Sequence, residues 1–335
     1  MTPQEDALQQ TRPPEWARKL PGLGRDLNAI KQPPLRHNII NLLAVGLLWG
    51  SIIGILFLGS VVSAPVYIPV FGFLLGCCFF GHFVLIIHEC SHDMLFVSQD
   101  RARQKRLNRT IGRIAGRMFF TDYLVHWEKG HRVHHLHPNT PEDCQAISTF
   151  TGRALLKSYL KLLIPGMFIA YNPSNQYGFS VKKAVSGGVF WGAFVGTAYL
   201  LGGLPAVVTL FVGMHVVAAL NLTKKAQEHG GGLANEPWPI IQSRTYLYPL
   251  RWLTSPFFIN YHFEHHANFS VPWYLLPTYH ERVKAAVPEV LRPYYFHRDF
   301  FLQLSGRKPL PPRELLAMST AELALLGASN APTAS

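Results

Sequence analysis

Eight of the sixteen histidines in this 335-residue chain fall into three tight clusters. His88-Glu89-Cys90-Ser91-His92 places two at i and i+4. His131-Arg132-Val133-His134-His135 and His262-Phe263-Glu264-His265-His266 each place three at i, i+3 and i+4. On a helix such positions share a face, so each cluster can aim two or three imidazoles at one point. Imidazole suits iron, zinc, copper and nickel. A lone histidine is usually an ordinary polar residue, and one HxxHH can arise by chance in a histidine-rich chain. Three clusters together point to metal. Eight imidazoles exceed the four ligands zinc usually takes, so two metals are implied. The first cluster also fits HExxH, the zinc metalloprotease pattern, in which Glu89 is the general base. That alternative leaves six further clustered histidines without a task.

The elements that carry these clusters are apolar. Hydrophobic residues make up 48% of the chain and charged residues 15%, against about 25% charged in soluble domains. An aromatic content of 13% excludes a disordered chain. Four cysteines without a CxxC pair exclude a disulfide scaffold. From Asn38 to Gly81, 44 residues contain no Asp, Glu, Lys, Arg or His. As one helix they would reach roughly 66 Å, and a bilayer core is about 30 Å thick. Two crossings are therefore predicted, with the turn at Ser63-Ala64-Pro65. Ala184 to Thr223 is a second run, of 40 residues without Asp, Glu, Lys or Arg, divided by Gly202-Gly203-Leu204-Pro205. The expectation is an all-α integral membrane protein with four transmembrane helices in two hairpins, interfacial helices and a cytoplasmic histidine-rich cap. Two buried helices of a large soluble core are the alternative, and core helices rarely run so far without a charge.

The net charge of +12 follows the same plan. All 31 basic residues lie in three segments: 6 before Asn38, 14 from His82 to Lys183 and 11 after Thr223. Two hairpins put these segments on one membrane face, and positive charge stays cytoplasmic. Both termini are expected there. The charge is a topology signal, not a nucleic-acid footprint. The expected divisions are a polar segment 1–37; a membrane domain 38–304 with hairpins 38–87 and 184–223, boxes and interfacial helices 88–183 and the third box in 224–304; and a partly disordered tail 305–335. Ala154 to Ala170 reads as an interfacial helix with Lys157 and Lys161 snorkelling, a role Arg109 to Phe120 could share. Ser319-Thr320-Ala321-Glu322 fits a capping box, and the last ten residues are expected to lack structure.

The sequence resembles the membrane fatty acid desaturase and hydroxylase superfamily, which carries HxxxH, HxxHH and HxxHH boxes in this order. The likeness extends to Leu95-Phe96 after the first box, Asn139-Thr140-Pro141-Glu142-Asp143 after the second, and Asn260-Tyr261, Ser270-Val271-Pro272-Trp273 and Leu276-Pro277 around the third. It runs from about Asn38 to Val283. The resemblance implies a further ligand between the second hairpin and the third box, where Glu228-His229 fits. It thus implies that His88, His92, His131, His134, His135, His229, His262, His265 and His266 hold two irons. Metal-bound imidazoles usually donate their other N–H to a carboxylate or carbonyl, so Glu89, Asp93, Glu228 and Glu264 are candidate partners. His82, His126, His137 and His215 have no box assignment. His137 could support a ligand, and His215, in mid-span, is expected to be neutral and hydrogen-bonded. Gly72, Gly76, Gly81, Trp191, Tyr199, Phe211 and Trp252 are loose candidates for a substrate tunnel, with plain packing the stronger expectation.

The implied activity is an oxygen-dependent di-iron desaturation of a fatty acyl or related aliphatic substrate. The alternative is hydroxylation or another oxidation, including alkene formation, on a carotenoid or amino-acid-like metabolite. No dinucleotide fingerprint or CxxCH occurs, so electrons are expected from a separate donor, a ferredoxin or a b-type cytochrome with its reductase.

Overall fold

The computed structural model describes residues 12–138, 140–143, 145, 151–168, 181–233, 236 and 238–329. Three helices in it are long and apolar enough to cross a membrane. The first, α1, is Pro34–Leu58. The second, α2, is Ala64–His82, and a π-helical stretch, Phe83–His88, continues it. The amphipathic α3 is Arg101–Gly116, the short α4 is Arg132–Leu136 and α5 is Gly152–Leu162. The third long element, α6, is Val181–His229. Beyond it come the third-box helix α7, His262–Ala267, and α8, Leu276–Ala286.

The long element α6 is two helices. Gly203 takes φ 67° and ψ −160°, a region open to glycine alone. The halves fold back on each other: the Trp191 and Phe211 rings stack with centroids 6.1 Å apart, whereas a straight helix would separate them by about 30 Å. The second half packs closely on α2, because glycines let backbones approach. A Cβ on Gly76 would meet Cβ of Val216 at 2.4 Å. Around this contact lies the larger apolar core, with Phe79, Phe80, Leu210 and Met214. On the outside, Leu42, Leu47 and Leu200 are 71%, 74% and 85% exposed, an apolar surface that suits lipid and not water.

A second core lies on the far side of the histidines and brings both ends of the described chain together. Trp16, Leu20, Phe263, Tyr279, Tyr295 and Leu323 form it. Strand β1, Thr245–Tyr246, pairs in parallel with β2, Phe296–His297. Asn260 ties the third box to this pair: its Nδ2 donates to the Tyr246 carbonyl at 3.0 Å. The loop after the first box is held from two sides. Asn38 at the start of α1 exchanges hydrogen bonds of 2.9 Å with the Val97 backbone. Gln104 on α3 donates to the Asp93 carbonyl at 2.7 Å.

Several sequence expectations shift. The first turn falls earlier than Ser63-Ala64-Pro65, between Leu58 and Ala64. Pro65 sits in the first turn of α2, where its missing N–H costs nothing. The amphipathic α5 stops at Leu162 rather than Ala170, because Pro165 disfavours helix in the residue before it; 169 and 170 lie outside the described residues. The capping box forms, with the Ser319 N–H donating to Glu322 at 2.7 Å and the Glu322 N–H to Ser319 at 3.3 Å. Residues 326–329 continue the helix Thr320–Ser329, so the unstructured reading fails for them: Leu316 and Leu323 bury their side chains in the second core. Residues 330–335 lie outside the described set.

Candidate metal centre

Each box is delivered by its own local device. His88 ends the π-helical continuation of α2, and His131 ends a second π-helical stretch, Tyr123–His131, capped by Asp122. Such wide turns re-aim the residues that follow them and recur at functional sites. His262, His265 and His266 lie on α7, and His229 ends α6.

The nine histidines converge into two groups. His88, His92, His131, His135 and His265 form one, and His134, His229, His262 and His266 the other. In each, the ring nitrogens lie within 4.8 Å of one another. In the first, His88 Nε2 is 2.9 Å from His265 Nε2, and His131 Nε2 is 3.1 Å from both His92 Nε2 and His135 Nε2. In the second, His262 Nε2 is 2.8 Å from His229 Nε2 and 3.1 Å from His266 Nε2. Nitrogens about 2.1 Å from a shared ion at right angles would be about 3.0 Å apart.

The protonation pattern tests whether an ion fits. His229 Nδ1 donates to the Gln242 carbonyl at 2.8 Å, His134 Nδ1 to Asp143 at 2.8 Å and His131 Nδ1 to Gln145 Oε1 at 2.8 Å. Each ring proton is thereby held on the outer nitrogen, and each Nε2 presents a lone pair to the centre. His262 Nδ1 faces Glu228 Oε1 at 3.2 Å, which aims a fourth lone pair inward. Lone pairs 2.8 Å apart repel, and a shared cation removes that repulsion. Burial, aided by the neighbouring imidazoles, holds His134, His135, His265 and His266 well below the usual histidine range. His131 is pushed down to about 4, again chiefly by burial. Neutral imidazole is the form that ligates.

The acids divide. Glu89 faces His88 Nδ1 at 3.4 Å and Glu228 faces His262 as above. Glu264 instead accepts from His280 Nδ1 at 2.6 Å and from the Thr245 hydroxyl, because on α7 it points away from the face carrying the histidines. Asp93, left-handed at φ 57°, lies among the charges of Lys105, Glu128 and Arg109, and its carboxylate bonds no box histidine. Asp143 and Gln145 are the partners that sequence reasoning missed. They stand nine and fourteen residues past the histidines they hold, in a loop with no periodicity to flag them; only the box-like segment ending at Asp143 carried a signal.

The unassigned histidines have bland settings. His82 lies between Trp49 and Phe119. His126 contacts Gln145 Nε2 at 3.2 Å. His137 is exposed, so it supports no ligand. His215 donates from Nδ1 to the Leu162 carbonyl at 2.8 Å and accepts at Nε2 from the Gly166 N–H at 3.1 Å, the pattern of a neutral ring.

A cavity, partly open to the surroundings, reaches the centre. Phe83, Phe119, Trp127 and Ile259 give it apolar walls, and His88, His131, His134, His229 and His262 close one side. None of the proposed tunnel residues lines it. Gly72 and Gly76 are helix contacts with Val212 and Val216, Gly81 packs on Leu48 and Phe257, and Trp191 stacks behind Phe120. Tyr199, Phe211 and Trp252 are exposed.

Among known proteins, a family model described as fatty acid desaturase matches residues 63–298, more than two thirds of the chain and all three boxes. No curated protein matches.

Proposed function

Because the chain belongs to the fatty acid desaturase family, we propose that it is a membrane-bound, oxygen-dependent di-iron desaturase of a fatty acyl or related aliphatic substrate. The single observation that carries this reading is the sorting of nine buried or half-buried histidines into two adjacent groups, each able to hold one ion. All nine are the residues that the boxes and Glu228-His229 imply.

When bound, paired irons supply the oxygen activation that breaking an unactivated C–H bond requires. The chain's own residues position and insulate. His131, His134 and His229 keep their protons on Nδ1 through Gln145, Asp143 and Gln242. Phe83, Phe119 and Trp127 line the approach with rings, which excludes water and holds an alkyl chain against the histidines. Overall, two vicinal hydrogens leave the substrate. With two protons and two electrons from an external donor, they reduce dioxygen to two waters.

The fold-back of α6 at Gly203 supports four crossings, which would put both termini and the boxes on one face; the basic residues gathered there support the cytoplasmic side. Glu89 argues against the protease alternative. Its carboxylate lies on the Nδ1 side of His88, away from Nε2, whereas a general base must reach water at the metal. The deciding experiment is metal analysis with product mass on detergent-purified protein. Two irons per chain and a product lighter by two hydrogens are expected; one zinc and no iron would refute the reading, and gain of one oxygen would make it a hydroxylase.

A further inference from the structure

Helix α3 bridges the starts of two membrane-crossing helices. At one end the Ser98 N–H donates to Gln104 Oε1 at 3.2 Å. The residue before it, Val97, exchanges hydrogen bonds with Asn38 at the start of α1. Just past the other end, the Phe120 ring stacks on Trp191, centroids 5.3 Å apart, near the start of the apolar first half of α6. The 16 residues of α3 reach about 24 Å. Tied at both ends to the beginnings of crossings, the helix runs along the membrane edge at headgroup level.

Its inner face is satisfied by the protein. Asn108 accepts from the Phe96 N–H at 3.1 Å and donates to the Phe96 carbonyl at 2.7 Å, and the Tyr123 ring covers Gly112. Its outer face is basic. From Arg101 to Arg117 there are seven basic residues and no acidic one. At about 100° per residue, Arg103, Arg106, Arg113 and Arg117 fall within about 80° of one another, and all four are exposed. Arg109, at the edge of this stripe, is paired: its Nε donates to Glu128 at 2.8 Å. The other four form no ion pair with a described residue. Like charges four residues apart, such as Arg113 and Arg117, repel, so the stripe is a cost until an anion meets it.

Between the arginines and the inner face run Leu107, Ile111 and Ile114, at i, i+4 and i+7. Ile114 is 53% exposed, and the other two are half-buried. Arginines beside an apolar strip are what a helix lying in a lipid interface carries. An acidic protein surface would meet the arginines but leave Ile114 and the 39% exposed Phe120 without an apolar partner.

We propose that Arg103, Arg106, Arg113 and Arg117 bind the phosphates of anionic phospholipids, with Leu107 and Ile114 set into the acyl layer beside them. This goes beyond the desaturase reading and needs only that the chain sits in a bilayer.

The test is native mass spectrometry of the full chain in neutral detergent, titrated with dioleoylphosphatidylglycerol or dioleoylphosphatidylcholine. An arginine near an anionic lipid surface is worth roughly fivefold in binding, so the first phosphatidylglycerol should bind at least about fivefold more tightly than phosphatidylcholine. Replacing the four arginines together by glutamine should lower that preference at least about fivefold. Replacing them by lysine should keep it. Removing the same charge from Arg18, Lys284, Arg298 and Arg307, which are exposed elsewhere, should also keep it. Equal binding of the two lipids by the unaltered chain overturns the proposal, as does the same preference in the glutamine variant. An unchanged lipid preference with weakened binding of an acidic ferredoxin would make the face a protein dock and overturn it too.

Discussion

His229 Nε2 lies 2.8 Å from His262 Nε2, across 33 residues of chain. Each ring has its outer nitrogen turned to an acceptor, the Gln242 carbonyl for His229 and Glu228 for His262. Two inward lone pairs at this distance belong to one of the two groups able to hold an ion. In the other group, His88 Nε2 and His265 Nε2 lie 2.9 Å apart across 177 residues.

The histidines fall into two separate groups, so on the di-iron reading single substitutions should empty the two sites separately. His229→Ala and His265→Ala are each expected to lower bound iron from about two per chain to about one, with loss of turnover and continued membrane insertion. Iron quantification and membrane flotation check this. Full occupancy in either variant would remove that histidine from the ligand set.

Asp143 orients His134 from the loop after the second box. Loss of such an outer partner typically costs about 10–100-fold in metal affinity. Asp143→Ala should therefore release one ion at about 10–100-fold lower chelator concentration, and chelator titration followed by metal analysis reads it directly. Identical titrations for variant and wild type would make the contact incidental.

Glu89 discriminates between chemistries. As a partner of His88 Nδ1 it should be worth about 10–100-fold, so Glu89→Gln should keep measurable oxygen-dependent turnover. As a metalloprotease base its loss would abolish activity. Oxygen-electrode assays of the variant separate the two outcomes.

The Gly76–Val216 contact should limit stability. Adding a Cβ to Gly76 places it 2.4 Å from Val216 Cβ, and overpacking of this kind costs about 1–3 kcal/mol. Gly76→Ala should lower the melting temperature in detergent, and Val216→Gly in the same chain, which removes the clashing Cβ and Cγ1, should restore part of it. No recovery in the double variant would place the strain elsewhere.

Acid should loosen the β1–β2 pair beside the second core through His297, a buried ring on β2. Burial, with the charges of Arg244 and Lys308, holds it down to about 3. The unfolded ring titrates near 6.5. Below that pH the unfolded chain gains a proton that the folded one refuses. Its contribution is therefore present in full above about pH 6.5 and is lost as pH falls toward about 3. The slope is about 1.4 kcal/mol per pH unit over that window. Melting curves at pH 7, 6 and 5 should fall less steeply for His297→Phe; parallel curves would show that another group carries the acid sensitivity.

Much of this was legible in the residues themselves. The nine histidines, the uncharged runs and the glycine break at Gly203 are local properties of spacing and composition, and local properties survive in one dimension. The amphipathic α5, apart from its end, and the capping box at Ser319 were legible for the same reason. The tunnel residues were not, because aromatic and glycine positions in a span read alike whether they face a cavity, a neighbouring helix or lipid.

The sequence by itself singled out nine histidines; only the tertiary structure decided which of the two groups each one joins. Within each HxxHH box the i and i+4 residues stay together, His131 with His135 and His262 with His266, while the i+3 residue crosses to the other group: His134 joins His229, and His265 joins His88. A helix advances about 100° per residue, so i+4 falls about 40° from i on one side and i+3 about 60° on the other. That divergence is written in the spacing. Which neighbour waits on each side depends on where the π-helical turns and α7 bring the distant segments, and those contacts exist only once the chain has folded.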